Sequence, residues 1–227
     1  MNRYDFTIRS KQDMIDVIER FGFLPFFAGS IPGFSLEEHV APELWYTGND
    51  AWPVWEWKGP VIRESGCAYG KFFENKAAFV SRAWFADFAN YRRDGYDFDA
   101  RCDEGLAPFQ DKELFDLIES NAPILTRQLK ALGNYRKGGK KGFDTRITRL
   151  QSQCYVLISD FVYATDKTGK PYGWGIAEYS TPEKQFGASF FEEAYRSAPE
   201  ESYQRLFTHL QTLFPDASET ALRKVLK

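Results

Sequence analysis

The fold is decided by residues 121–181, which read NAPILTRQLKALGNYRKGGKKGFDTRITRLQSQCYVLISDFVYATDKTGKPYGWGIAEYST. The pattern predicts a first helix that Asn121 caps and that carries Pro123 in its first turn. Its apolar residues fall at helical spacing until Gly133 ends it. These apolar residues are Ile124, Leu125, Leu129 and Leu132.

A second helix is predicted after the basic turn 133–142, in which four of ten residues are glycine and four are lysine or arginine. This helix is expected to run from Asp144 to about Ile158. An apolar stripe along it leaves Arg146 and Arg149 on the outer face. The stripe contains Ile147, Leu150, Cys154, Leu157 and Ile158.

The spacing then changes to two β-rich runs, 161–163 and 172–176, around a turn at 166–170. Such runs predict a β-hairpin. A short helix predicted over 111–119 completes a series of three helices followed by a hairpin. This is the order of elements in a winged helix, in which the hairpin is the wing.

We therefore expect an α+β, mainly helical protein with three parts. Residues 1–109 form an aromatic-rich lobe, residues 110–182 the winged helix, and residues 183–227 a C-terminal helical extension. Outside the winged helix, the pattern predicts a helix over 10–21 that Ser10 caps and a hairpin over 67–81. It also predicts a helix near 83–91 and two C-terminal helices, over 202–214 and from the cap Ser218 to Leu226.

Basic charge is concentrated in the predicted winged helix. Eight lysines or arginines lie between Arg127 and Arg149 against one acid, Asp144, a balance of +7 in a chain whose net charge is −3. Residues 1–126 hold 13 basic and 21 acidic side chains, a net charge of −8. A concentrated basic patch favours contact with the phosphate backbone of DNA, because lysine and arginine side chains that bind the phosphates release counterions from the DNA.

The candidate DNA contacts are Arg136, Lys137, Lys140, Lys141, Arg146 and Arg149, with Lys167 and Lys170 at the hairpin tip. The alternative is a solvated loop and an ordinary hairpin tip, in a winged helix that binds only protein.

Four tryptophans within thirteen positions form a second candidate site: Trp45, Trp52, Trp55 and Trp57. Together with the carboxylate of Glu56, such rings could stack an unpaired base or a small aromatic ligand. A packed core is the more common use of a tryptophan cluster.

The run YRRDGYDFD at 91–99 combines charged and aromatic residues. Asp97 and Asp99 could hold a divalent cation or act as acid and base, but a loop closed by Arg–Asp pairs is favoured. Three widely spaced cysteines without a CxxC pattern and two histidines indicate neither a disulfide framework nor a metal site. No apolar run is long enough for a membrane helix, so a cytoplasmic protein without metal or cofactor is expected.

The run at 91–99, the tetrad Leu-Gln-Ser-Gln at 150–153 and the flanking aromatic blocks resemble the bacterial proteins called AlkZ-related, over most of the chain. This group is named for AlkZ, a winged-helix DNA glycosylase that releases alkylated or crosslinked purines. The glycosylases carry a Gln-x-Gln motif with an apolar middle residue, which helps to place the catalytic water. Gln151 and Gln153 match it, whereas Ser152 replaces the apolar residue.

The resemblance implies a DNA-binding protein of DNA repair, in which base excision would use Gln153 to orient water and Glu56 or Asp97 to stabilise the sugar cation. On a regular helix, residues two apart point in nearly opposite directions. We therefore expect Gln151 to lie at the core edge and only Gln153 to reach DNA. The other function left open is a non-enzymatic winged helix that binds a protein partner or a small aromatic ligand.

Overall fold

A computed structural model describes residues 4–45, 53–169, 171–192 and 194–227. The protein is α+β, as the sequence predicts, and about half of it is helical. The described residues form two three-stranded antiparallel sheets.

The first sheet belongs to the N-terminal part, where the predicted helix, hairpin and following helix are confirmed. Ser10 caps the first helix, since its Oγ accepts a hydrogen bond from the N–H of Asp13 at 3.2 Å. The elements are α1 (Lys11–Phe21), β1 (Phe23–Pro25), α2 (Pro42–Trp45), α3 (Pro53–Glu56), α4 (Lys58–Ser65), β2 (Ala68–Phe73), β3 (Lys76–Val80), α5 (Arg82–Arg93) and α6 (Phe98–Asp103). The strand order is β1–β3–β2.

The second sheet lies in the segment that the sequence singles out. Three helices precede a β-hairpin there, which is the predicted order of elements. The elements are α7 (Phe109–Asn121), β4 (Ile124–Leu125), α8 (Thr126–Leu132), α9 (Phe143–Ser152), β5 (Leu157–Thr165) and β6 (Pro171–Ser180). The strand order is β4–β6–β5, so the short strand between the first two helices pairs with the returning strand of the hairpin.

The predicted start of the first helix is wrong. Asn121 ends α7 instead of capping α8, and Pro123 lies between the two helices. A proline disfavours helical backbone in the residue before it, and Ala122 is extended, with φ −67° and ψ 142°. Ile124 therefore begins a strand, where it pairs with Tyr179 of β6.

The predicted end of the second helix is also wrong. α9 ends at Ser152, six residues before the predicted position, and Cys154 has a left-handed backbone with φ +62°. The residues of β5 include Ile158, Phe161, Val162 and Tyr163, which are aromatic or β-branched, and they gain more as a strand that pairs with β6. Leu157 and Ile158 remain buried, as predicted for the stripe, but they lie on β5.

The two predicted C-terminal helices are confirmed as α11 (Pro199–Leu213) and α12 (Glu219–Leu226), and a short helix, α10 (Pro182–Phe186), precedes them. Ser218 caps α12, and α11 packs against α5. One buried hydrophobic cluster contains Phe88, Leu129 and Leu206, which come from the three parts expected from the sequence. The boundaries of these parts stay a prediction.

The N-terminal part packs closely on the hairpin of the second sheet. α4 and β2 lie against β5, and α9 lies against β2. Gly59 of α4 permits this approach, because a Cβ there would lie 2.7 Å from Oδ1 of Asp160 on β5. Arg63 of α4 forms an ion pair with the same carboxylate. Residues that are far apart in sequence therefore meet at the base of the hairpin.

Candidate nucleic-acid interface

The basic turn between α8 and α9 is an ordered loop. The N–H of Lys140 donates to the carbonyl of Asn134 at 2.6 Å, and the N–H of Gly139 donates to that of Arg136 at 2.8 Å. Gly139 is required here, since a Cβ would lie 2.1 Å from the Asn134 carbonyl oxygen. The turn therefore holds its lysines and arginines in a defined arrangement.

Five of the eight cations between residues 127 and 149 have no carboxylate within 4.0 Å in the part of the chain that the structure describes. We call these five the basic surface: Arg127, Arg136, Lys137, Lys141 and Arg146. Four of them are exposed. Arg146 is half-buried, and its guanidinium donates a hydrogen bond to the hydroxyl of Tyr135 at 2.8 Å, which leaves its charge uncompensated.

The other three cations form ion pairs that the sequence did not predict. Lys130 lies 3.6 Å from Asp144, and Lys140 lies 2.9 Å from Glu113. Arg149 donates two hydrogen bonds to Asp111, which is 1% exposed, and these bonds raise the pKa of the guanidinium. That Lys140 and Arg149 bind DNA stays a prediction. The ion pairs with Glu113 and Asp111 neutralise part of their charge.

The tip of the hairpin is a tight turn closed by Asp166. Its carboxylate accepts hydrogen bonds from the N–H of Thr168 at 2.8 Å and from its hydroxyl at 2.6 Å. Lys167 is exposed at this tip, where a phosphate could reach it. Lys170 and Trp52, two further predicted site residues, lie outside the described residues.

The two glutamines of the Gln-x-Gln motif lie in different environments. Gln151 is 1% exposed, and its Nε2 donates to the carbonyl of Ile147 at 3.0 Å. Gln153 is the C-terminal cap of α9 and is half-exposed. The side chain of Gln151 is therefore directed into the interior, and only Gln153 is accessible from solvent.

Trp45 and Trp55 of the predicted cluster are half-buried and packed against the core. The ring of Trp55 is 5.5 Å from that of Trp45 and 6.4 Å from that of Trp174 on β6. Trp57 is also half-buried, whereas Trp174 is 65% exposed. Trp174 is thus the most accessible ring of this group, and no sequence pattern distinguishes it from the other aromatic residues of the strands.

The hairpin adds two aromatic side chains, Phe161 and Tyr163, to this group, and α4 adds a lysine. Lys58 of α4 places its amine 4.1 Å from the ring centroid of Phe161 on β5. Glu56 is exposed, and burial together with the charge of Glu56 raises the pKa of Tyr163. We call the set Trp55, Lys58, Phe161, Tyr163 and Trp174 the aromatic junction.

The two aspartates of the run 91–99 have structural partners. Asp97 caps α6, since its Oδ1 accepts a hydrogen bond from the N–H of Ala100 at 2.7 Å. Asp99 forms an ion pair with Lys112 at 2.9 Å, so a lysine closes this part of the loop where an arginine was expected. Within the described ranges, no three His, Cys, Asp or Glu side chains are grouped as metal ligands.

Sequence reasoning missed the importance of Arg93. Its guanidinium is buried and donates to the carbonyl of Cys154 through Nε at 3.2 Å and Nη2 at 2.7 Å. Nη1 donates to Glu183 and to the hydroxyl of Tyr195, both at 2.5 Å. Arg93 thereby connects α5 to the turn between α9 and β5. The available signal was a pair of arginines in a run of otherwise acidic and aromatic residues.

The comparisons identify the family. A family model described as AlkZ related matches residues 8–227, so the chain belongs to the AlkZ-related family, and the resemblance inferred from the sequence is confirmed. Searches among curated proteins and among solved structures found no significant match. Of the described helices, none has the length and apolar character needed to cross a membrane.

Proposed function

We propose that residues 109–180 form a winged helix and that the protein binds duplex DNA through it, in a DNA-repair process. The order α7–β4–α8–α9–β5–β6 and the strand order β4–β6–β5 support the winged helix. In such a domain the last helix before the hairpin, here α9, lies in the major groove with its first turns towards the bases. Membership in the AlkZ-related family supports the link to repair.

The observation that carries this proposal is the basic surface. Its five cations lie in α8, in the turn and in the first half of α9, and in the described residues no carboxylate neutralises them. A phosphate backbone supplies the missing negative charge and releases counterions when it binds. The acidic remainder of the chain restricts this contact to one face.

The hairpin would act as the wing. Lys167 lies at its tip, and the rings of Tyr172 and Trp174 on β6 are 58% and 65% exposed. Large exposed rings beside a basic tip are suited to stacking on bases or to entering the minor groove. We assign the contact with bases to these rings, because Trp45 and Trp55 are packed against the core.

Replacing Arg136, Lys137 and Lys141 together with alanine should weaken binding to duplex DNA and reduce its dependence on salt. Each lost phosphate contact lowers the slope of log affinity against log salt concentration by up to about 0.9 units. The slope is measured by fluorescence anisotropy with a labelled duplex at several salt concentrations.

The matched control replaces Arg9, Arg20 and Lys227, three basic residues outside α7–β6, with alanine. It should leave the slope of log affinity against log salt concentration unchanged. An equal slope in the first variant and the wild type would exclude the turn as the DNA contact. Failure of the wild type to bind duplex at low salt would instead support a module for a protein partner or small aromatic ligand.

We expect the protein to release a simple N7-alkylated purine from duplex DNA only at the spontaneous rate. Gln151 is buried and bonded to the backbone, so it cannot share a water with Gln153. Release is measured as abasic sites that alkali converts to strand breaks. Release by the wild type above the spontaneous rate would contradict this expectation. It would establish base excision if Gln153→Ala or Glu56→Gln abolishes the release and the control Gln204→Ala, at an exposed glutamine, retains it.

A further inference from the structure

Lys58 occupies an unusual position for a lysine. It is the first residue of α4, and its amine lies at 4.1, 5.0 and 5.9 Å from the ring centroids of Phe161, Trp55 and Phe26. Within the described residues, its amine makes no ion pair or hydrogen bond. The nearby carboxylate of Asp160 is bound by Arg63. Three aromatic rings are thus the surroundings of this amine.

Burial of this amine favours its uncharged form, against the attraction of the three ring faces for a cation. Burial lowers the pKa of the Lys58 amine from 10.5 to about 8. The positive end of the α4 dipole acts in the same direction, because Lys58 lies in the first turn. With a pKa near 8, about one amine in ten is uncharged at pH 7, against about one in a few thousand for an ordinary lysine. An uncharged lysine amine is a nucleophile towards carbonyl groups.

The carboxylate of Glu56 and the phenol of Tyr163 suit carbonyl chemistry at the aromatic junction. Glu56, two residues before Lys58, is exposed, and its charge acts on Tyr163 of β5. A carboxylate and a phenol can accept and donate the protons that imine formation requires. The indole N–H of Trp55 is buried, and no described residue accepts its hydrogen bond, so an oxygen atom of a bound molecule could do so.

We propose that Lys58 attacks the aldehyde of an abasic deoxyribose in DNA and forms an imine with it. This inference rests on the proposed binding of DNA by the neighbouring wing. An abasic site presents an aldehyde and leaves a gap in the base stack, and the exposed ring of Trp174 lies in edge contact with Trp55 at the junction. The ring can stack on a base beside the gap while the sugar approaches the amine.

The reaction is balanced without an oxidant or reductant. The lone pair of the Lys58 nitrogen adds to C1′ of the sugar, and loss of water then gives the imine. Removal of a proton from C2′, for which the exposed carboxylate of Glu56 is a candidate base, expels the 3′ phosphate as the C3′–O bond breaks. Addition of water to the imine returns the free lysine and an unsaturated sugar aldehyde on the 5′ fragment.

Borohydride tests this proposal, because it reduces an imine to a stable bond between protein and DNA. A labelled duplex with one abasic site is incubated with the protein and borohydride, and the adduct is measured on a denaturing gel. We expect the adduct with the wild type and at least a tenfold loss in Lys58→Met and Lys58→Arg. Arginine keeps the positive charge but is not a nucleophile at pH 7, because its guanidinium stays protonated. Lys71→Met, which replaces an exposed lysine on β2, should retain the adduct.

A second measurement separates this inference from the binding of DNA. The protein without DNA is treated with a small aldehyde and cyanoborohydride, and the labelled lysines are located by peptide mass mapping. Lys58 should react faster than Lys71 at pH 7. Equal rates, or an undiminished DNA adduct in Lys58→Met, would overturn the role of Lys58 whatever the affinity for DNA. Selective labelling without binding of the duplex would overturn the proposed DNA function and, with it, the abasic substrate.

Discussion

Arg93→Met is expected to lower the free energy of unfolding by about 3–5 kcal/mol, because it removes several hydrogen bonds of a charged group, each worth about 1.5–3 kcal/mol. The Arg93 side chain is 2% exposed and binds Cys154, Glu183 and Tyr195, so its removal leaves a buried carbonyl without its donors. The loss is measured by chemical denaturation followed by circular dichroism. It is large beside a typical total stability of about 5–15 kcal/mol.

The matched control is Arg223→Met, which removes an exposed ion pair with Glu219 within α12 and should change stability little. Arg93→Lys should fall between the two, because an ammonium cannot donate the paired bonds that the Cys154 carbonyl accepts. If Arg93→Met is as stable as the control, the bonds to Cys154 do not hold the turn between α9 and β5.

Local patterns predicted most of the helices and hairpins correctly. The cap at Ser10, the hairpin at 67–81 and the long hairpin after α9 each depend on residues close together in sequence. The error at the end of α9 arose where a tertiary contact decided the outcome. Leu157 and Ile158 continue a helical spacing, but pairing with β6 places them on a strand, and the bond from Arg93 to the Cys154 carbonyl holds the turn before it.

Sequence patterns likewise predicted only part of the candidate site. The concentration of basic residues was visible in the sequence, whereas their partners were not, because Glu113 lies 27 residues from Lys140 and Asp111 lies 38 residues from Arg149. The aromatic junction was visible only in part. Trp55 and Glu56 were recognised as candidates, but no local pattern brings Lys58 to Phe161 or Trp55 to Trp174.

Arg149→Ala should lower the free energy of unfolding by about 2–4 kcal/mol, because it leaves the carboxylate of Asp111 buried without its partner. The expected loss is smaller than for Arg93 for two reasons. The Arg149 side chain is 39% exposed, and Asp111 lies in the first turn of α7, where the helix dipole favours a negative charge. Chemical denaturation gives the value.

The double variant Asp111→Asn with Arg149→Ala should recover most of this loss, because the neutral amide is less costly to bury than an unpaired carboxylate. The same pair of variants tests whether Arg149 also contacts DNA. If the role of Arg149 is structural, the single variant Asp111→Asn and the double variant will bind DNA with the same slope of log affinity against log salt concentration. If Arg149 reaches a phosphate once Asp111 is neutral, adding Arg149→Ala will flatten the slope by about 0.9 units, and Arg149 then belongs to the basic surface.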